Sequence, residues 1–164
     1  MLRWLWLSAL VVVLDQASKQ VIMASMSLYD SMPVVPFLRM TYVHNTGAAF
    51  SFLSDAGGWQ RWLFAGLAIF IGSIIGVWLG RLERRQKLLA VSLALILGGA
   101  VGNLIDRLVY GFVIDFIDVY YRSWHWPAFN IADTAISIGV ALMLLDSLLD
   151  GRREEQQAGK EQRP

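Results

Sequence analysis

The sequence predicts an integral membrane α-helical protein with four transmembrane helices, both termini cytoplasmic, and a small β-structure on the outer face. Three observations carry this. Apolar residues make up 56% of the 164 residues and charged ones only 16%, whereas soluble domains carry about a quarter. A soluble core of this size cannot hold so much apolar surface, so much of it must face lipid. Second, the runs 4–23, 62–79, 88–105 and 131–149 are each near the roughly 20 apolar residues that a helix needs to cross a hydrocarbon core. Third, Lys and Arg gather in particular segments: Arg3 before the first run, Arg81, Arg84, Arg85 and Lys87 between the second and third, and Arg152, Arg153, Lys160 and Arg163 after the fourth. Short-loop Lys and Arg mark the cytoplasmic side.

The first run opens with Arg3 and an apolar centre, as a signal peptide would. Asp15, Gln16 and Lys19 follow directly and no small-x-small site closes it, so it reads as a retained helix. Segments 24–61 and 106–130 then lie outside and carry only Arg39, Arg61, Arg107 and Arg122 as scattered cations. Within the first, 37–44 is β-branched and aromatic and is bounded by Pro33, Pro36 and Gly47; 49–53 reads similarly, and both suggest strands. Within the second, 113–121 is apolar enough to lie in the membrane interface, with Trp124 and Trp126 at headgroup depth. Residues 1–150 read as one membrane domain, and 151–164 as a polar cytoplasmic tail with a frayed end. Gly72, Gly76 and Gly80 in the second run, and Gly98 and Gly102 in the third, recur at four-residue spacing; such stripes let helix backbones approach closely.

Cysteine is absent, which excludes a disulfide framework, a thiolate zinc site and a cysteine nucleophile. A net charge of +1 offers no field for nucleic acid. No Gly-x-Ser-x-Gly elbow is present, and His44 and His125 read as surface or turn histidines without a second histidine at metal-ligand spacing. Carboxylates are the abundant reactive groups. Ionisable residues within membrane spans are costly and tend to be functional, and here they cluster toward the outer ends: Asp15 and Lys19 on span one, Asn103, Asp106 and Arg107 on span three, Asn130 and Asp133 at the start of span four, and Asp115 between. Two carboxyls held close cannot both ionise; the charged one can draw a proton from water while the neutral one polarises a carbonyl, which suffices for peptide hydrolysis.

Each group also has a plainer role open to it. Asp15 and Lys19 could be an intrahelical ion pair. Asp106 with Arg107 reads first as an interfacial anchor. Asp118 reads as a solvated face, and Asp146 and Asp150 as plain surface. Asn130 stands where an N-cap of span four belongs, three residues before Asp133.

Taken in order, Asp15-Gln16-Ala17-Ser18-Lys19, Asn45-Thr46-Gly47-Ala48-Ala49-Phe50, the run Gly98 to Arg107, Val113-Ile114-Asp115-Phe116 and Phe129-Asn130-Ile131-Ala132-Asp133 resemble the motifs of lipoprotein signal peptidases, also called signal peptidase II. The resemblance covers nearly the whole chain. It implies an aspartic endopeptidase of the bacterial inner membrane, with Asp115 and Asp133 as the catalytic dyad and Asp15, Lys19, Asn45, Asn103, Asp106, Arg107 and Asn130 supporting the site. It implies a prolipoprotein substrate whose cysteine carries diacylglyceryl, cut on the N-terminal side of that cysteine. It also implies a β-cradle and a short, mobile interfacial helix on the outer face. Neither a cofactor nor a metal is expected, and the partners are the lipid-modified precursor and membrane lipid around a monomer. Two rivals are a Mg²⁺-dependent lipid transferase, disfavoured because Asp115 and Asp133 fall outside the cytoplasm, and a proton-coupled transporter, disfavoured by the lack of an inverted repeat.

Overall fold

The computed structural model describes residues 1–47 and 57–161. Among them are four helices long and apolar enough to cross a membrane: α1 (Leu5–Ser25), entered through a short 3-10 turn at Leu2–Trp4, α2 (Gln60–Arg81), α3 (Lys87–Val109) and α4 (Ile131–Glu161). They fall where hydropathy predicted: the fourth span, 131–149, matches at both ends, and the other three helices differ by a few residues. The α4 backbone also continues through the polar tail to Glu161, where the sequence suggested a frayed end.

The central helix is α3. Half of its span is buried, against 17% for α2 and for α4, and it packs on α1, α2 and α4. Glycine makes this possible at several positions, Gly98 against α1 among them, and two bear directly on the site. A Cβ on Gly99 would collide with the Ala132 carbonyl oxygen and stand 2.7 Å from Ile136 Cγ1, so α4 lies on the α3 backbone itself. A Cβ on Gly102 would stand 2.6 Å from Asp15 Oδ2, so this glycine leaves room for a carboxylate of α1. The stripe on α2 differs from the sequence expectation: nothing lies within 4 Å of a Cβ on Gly76, and Gly72 meets only an ordinary contact at 3.5 Å. Those glycines do not bring α2 close to another helix.

Buried residues of α1 fall at Ser8, Val11, Asp15, Lys19 and Ile22. This spacing of three or four is one helical face, so its two charges point into the bundle and not into lipid. At the site end stands an antiparallel sheet of β1 (Ser31–Val35), β2 (Leu38–Asn45), β3 (Val113–Tyr121) and β4 (Trp124–His125), in the order β1-β2-β3-β4. The second outer segment is therefore largely a strand of this sheet. Residues 113–116 are buried strand, with Ile114 and Phe116 packed on Ile22 of α1. No separate interfacial helix occurs among the described residues, and the strand suggested at 49–53 lies outside them.

The pairing of β2 with β3 contains an irregularity that matters for the site. Met40 faces Ile117 and Val43 faces Asp115, so two residues of β2, Thr41 and Tyr42, oppose one of β3. This is a β-bulge. Side chains alternate faces along a strand, so the bulge changes which parity of β2 shares a face with Asp115. With it, Val43 and Asn45 do; without it, Tyr42 and His44 would. The extra residue keeps its backbone paired on the other side, since Tyr42 N–H donates to the Asp30 carbonyl at 3.1 Å and Tyr29 N–H to the Tyr42 carbonyl at 2.8 Å.

Gly99→Ala should therefore lower stability by about 1–3 kcal/mol through overpacking at the α3–α4 contact, whereas Gly76→Ala should be neutral or slightly stabilising through helix propensity. Thermal melting of the two purified variants in detergent checks this; equal melting points would contradict the packing assigned to α3.

Candidate active site

Side chains of α1, α3 and α4 converge with those of β2 and β3 at one end of the bundle. Lys19 reaches from α1, fully buried, and its Nζ lies 2.8 Å from Asp15 Oδ2 and 2.8 Å from Asp106 Oδ2. It also donates to Asn103 Oδ1 at 3.1 Å. A buried ammonium is tolerable only when paired and fully hydrogen-bonded, and here three oxygens take its three protons. Asp15 is more than an intrahelical partner: its Oδ1 accepts the Ala132 N–H at 2.9 Å, placing an anion at the positive end of α4. Asp106, read from sequence as an interfacial anchor, is fully buried instead. Its Oδ2 accepts the Ile114 N–H at 3.1 Å and its Oδ1 the Gln16 amide at 2.7 Å.

Above this charged layer lies a layer of amides. Asn103 Nδ2 donates to Asp133 Oδ1 at 2.7 Å, while its Oδ1 accepts from Lys19 and, at 3.1 Å, from Asn130. Two donors on one atom and an acceptor on the other fix the amide orientation. Asn130 Nδ2 also donates to Asp115 Oδ1 at 2.8 Å and to the Ile114 carbonyl at 3.2 Å. Its Oδ1 accepts the Asp133 N–H at 2.9 Å, and Asp133 Oδ2 accepts the Asn130 N–H at 3.3 Å. This is a reciprocal cap of α4, so the expected N-cap role and the placement of Asp133 are one arrangement. From β2, Asn45 Nδ2 donates to Asp115 Oδ2 at 2.9 Å, the contact that the bulge makes available. Arg107 Nη2 donates to the Gly47 carbonyl at 3.0 Å, with its guanidinium 5.3 Å from the Phe64 ring centre.

All nine residues singled out in the sequence are thus in one network. Asp115 and Asp133 both line a cavity of about 850 Å³. Its walls run from Asn45 and Arg107, past Trp126 and Phe129, to Ile138 on α4, an apolar residue of the fourth span that is 49% exposed. Burial, and after it the charge of Asp133, pushes the Asp115 carboxyl up to about 7 from 3.8, against the hydrogen bonds from Asn45 and Asn130 and the charge of Lys19. A cavity with one proton-retaining carboxyl beside a second carboxylate can take a proton from water and give one to an oxygen.

Several features were not legible in the sequence. Gln16 bridges Asp15 and Asp106, with bonds of 3.2 and 2.7 Å; an uncharged polar residue in an apolar span was the available signal. His44 is not a surface turn: it sits within β2, stacked 3.6 Å from the Phe112 ring, with burial lowering its pKa. Asp118 is no solvated face, being only 8% exposed. Of the quoted motifs, Ala48, Ala49 and Phe50 lie outside the described residues.

A four-helix membrane bundle bearing a carboxylate pair at one end defines a membrane-embedded peptidase. Comparison with known proteins makes this specific. The family described as Signal peptidase (SPase) II matches residues 7–149, and the chain belongs to that family. Similar proteins named lipoprotein signal peptidase include one from Alteromonas mediterranea, 54% identical over 98% of this chain and 88% of its own length. Another, from Yersinia enterocolitica, is 55% identical over 90% of this chain and 88% of its own. Among solved structures, two titled as bacterial membrane enzymes determined by the in meso method are both 33% identical to this chain. One has a TM-score of 0.82 over 91% of this chain and 89% of its own, the other 0.78 over 89% and 92%.

The raised Asp115 value has a stability consequence. In the unfolded chain the carboxyl titrates near 3.8, in the fold near 7. Proton uptake at Asp115 therefore stabilises the fold below the first value, and that contribution is lost as pH rises toward the second. The melting-point difference between wild type and Asp115→Asn should fall as pH rises from about 4 to about 7, then level off. A pH-independent difference would contradict the assigned direction.

Proposed function

We propose that the protein removes signal peptides from diacylglyceryl-modified prolipoproteins, with Asp115 and Asp133 as the catalytic pair and cleavage on the N-terminal side of the lipidated cysteine. One observation carries the reading: the two carboxyls share a cavity that continues along α4 to exposed, apolar Ile138. A diacylglyceryl group can then remain in the bilayer while the peptide next to it reaches the carboxyls, and anchoring of this kind supplies orientation.

Asp133, held at the first turn of α4 with Asn103 and the Asn130 backbone donating to it, is the ionised base, since that end of a helix favours an anion. Asp115 holds the proton below about pH 7. Asp133 takes a proton from water as the water oxygen bonds to the scissile carbonyl carbon, and Asp115 protonates the carbonyl oxygen. The resulting diol collapses: the C–N bond breaks, Asp133 returns its proton to the leaving nitrogen, and Asp115 recovers one from a diol hydroxyl. Asn45 and Asn130 hold Asp115, and Lys19, Asp15, Asp106 and Arg107 fix the frame around the pair. The enzyme acts as a monomer in the bacterial inner membrane, with both termini cytoplasmic and the site at the outer face. The basic loop carrying Arg84 and Arg85 supports this orientation.

Asp115→Asn and Asp133→Asn should each lower turnover of a purified diacylated prolipoprotein by about a thousandfold. The double variant should be about as inactive as either single, because the pair acts as a unit. Retained turnover in either single variant would overturn the assignment. For orientation, a single cysteine introduced by Arg84→Cys should resist an impermeant thiol reagent applied from outside, and one at Arg122→Cys should react. The reverse pattern would invert the topology.

A further inference from the structure

Beyond Asp115, strand β3 carries a second buried carboxylate for which the reaction above has no use. Asp118 is three residues further on, and an odd offset in a strand turns it to the opposite face. It therefore cannot join the pair. Yet it is buried, and burial of a carboxylate is unfavourable unless it is matched by a partner. Its partner is His125 of β4, whose Nδ1 lies 2.9 Å from both Asp118 oxygens. The imidazole also stacks on Tyr120, centroids 5.5 Å apart and planes at 18°, and the guanidinium of Arg39, which faces Asp118 across the β2–β3 pairing, lies 5.5 Å from the centre of the same Tyr120 ring.

His125 is the last residue of β4, and the chain after it folds back along β3 toward α4. Trp126 N–H donates to the Val119 carbonyl at 2.8 Å. Phe129 N–H donates to the Ile117 carbonyl at 3.1 Å, and the Phe129 carbonyl accepts from Phe116 and Ile117 at 3.0 and 2.8 Å. Residues 126–129 form one wall of the catalytic cavity, and the next residue, Asn130, holds Asp115. The wall is thus tied to β3 by backbone at both ends, and at its start a side-chain clamp pulls the same limb onto the strand.

We infer that the Asp118–His125 pair is a positioning clamp that sets the distance of the 126–129 wall from the catalytic carboxyls and thereby how tightly the precursor is held. Neither residue touches the reacting atoms. The inference rests on the function proposed above for its substrate, and the two fail differently: loss of the dyad stops turnover, whereas loss of the clamp changes saturation.

The test is steady-state kinetics of the full-length purified enzyme on a diacylated prolipoprotein. His125→Ala and Asp118→Ala should each raise KM about tenfold, equivalent to about 1.4 kcal/mol, with kcat within about twofold. The double variant should match either single, because each substitution breaks the same contact. His125→Asn, whose side-chain amide places an N–H near the position of Nδ1, should return KM to within about threefold of wild type. If the alanine variants do not fold, as judged by melting, His125→Phe decides: it keeps a ring to stack on Tyr120 but has no nitrogen to meet Asp118, and it should raise KM about tenfold. Unchanged KM in the folded alanine or phenylalanine variants, a fall in kcat at constant KM, additive losses, or no rescue by His125→Asn would each overturn the clamp. If Asp115→Asn stays active in the same assay, it is the proposed function that fails.

Discussion

The structure depends first on one buried cation. Lys19 is an ammonium at zero exposure inside a membrane bundle, held by Asp15 and Asp106 at 2.8 Å each. Taking such charges out of water is costly, and only near-ideal pairing offsets it. The two carboxylates then do more than neutralise. Asp15 captures the first turn of α4 through Ala132, and Asp106 captures the start of β3 through Ile114. A single contact set therefore locks α1, α3, α4 and the sheet in one relative placement, and Gly102 leaves the space in which Asp15 sits. Removing the lysine would leave two anions facing each other in a low-dielectric interior, a larger loss than that of an exposed ion pair.

This layer is also why the carboxyl pair can keep its reactivity. Asp115 and Asp133 are contacted by the amides of Asn45, Asn103 and Asn130. Amides supply direction without a full positive charge, so they orient the carboxyls while leaving a proton available. Had Lys19 paired directly with Asp115, its charge would have drawn that pKa down. The lysine instead sits one layer away, where its effect on Asp115 is the weakest of the named causes.

The helices and most of the polar network were legible in the sequence because both signals are strong in a membrane. About 20 consecutive apolar residues leave little choice of structure, and Asp15, Lys19, Asn103 and Asp106 stand out against that background. Asn130 stood out beside Asp133 at the start of span four, and the family motifs added Asn45. What stayed hidden depends on pairing between distant segments. The strand nature of 113–121 requires β2, about seventy residues earlier in the chain, so local composition suggested only an interfacial stretch. Asp118 looked solvated because alternation of polar and apolar residues is the pattern of a half-exposed strand; its partner, His125, stands on β4, a pairing that local alternation does not report. The α2 glycines misled in the opposite way, since their spacing reports what could pack there and not what does.

The bulge in β2 makes chain length, and not only residue identity, part of the site. Thr41 and Tyr42 together occupy the place of one residue, and everything downstream of them is out of phase with a regular pairing. Deletion of His44 alone would keep every one of the nine site residues in the gene yet, with Met40 and Val43 paired as they are, set Asn45 opposite Ile114 and turn it away from Asp115. Alignments that tolerate gaps in this segment would score such a sequence as intact. In this strand the reading frame of the pleat carries information that no list of matched motifs contains.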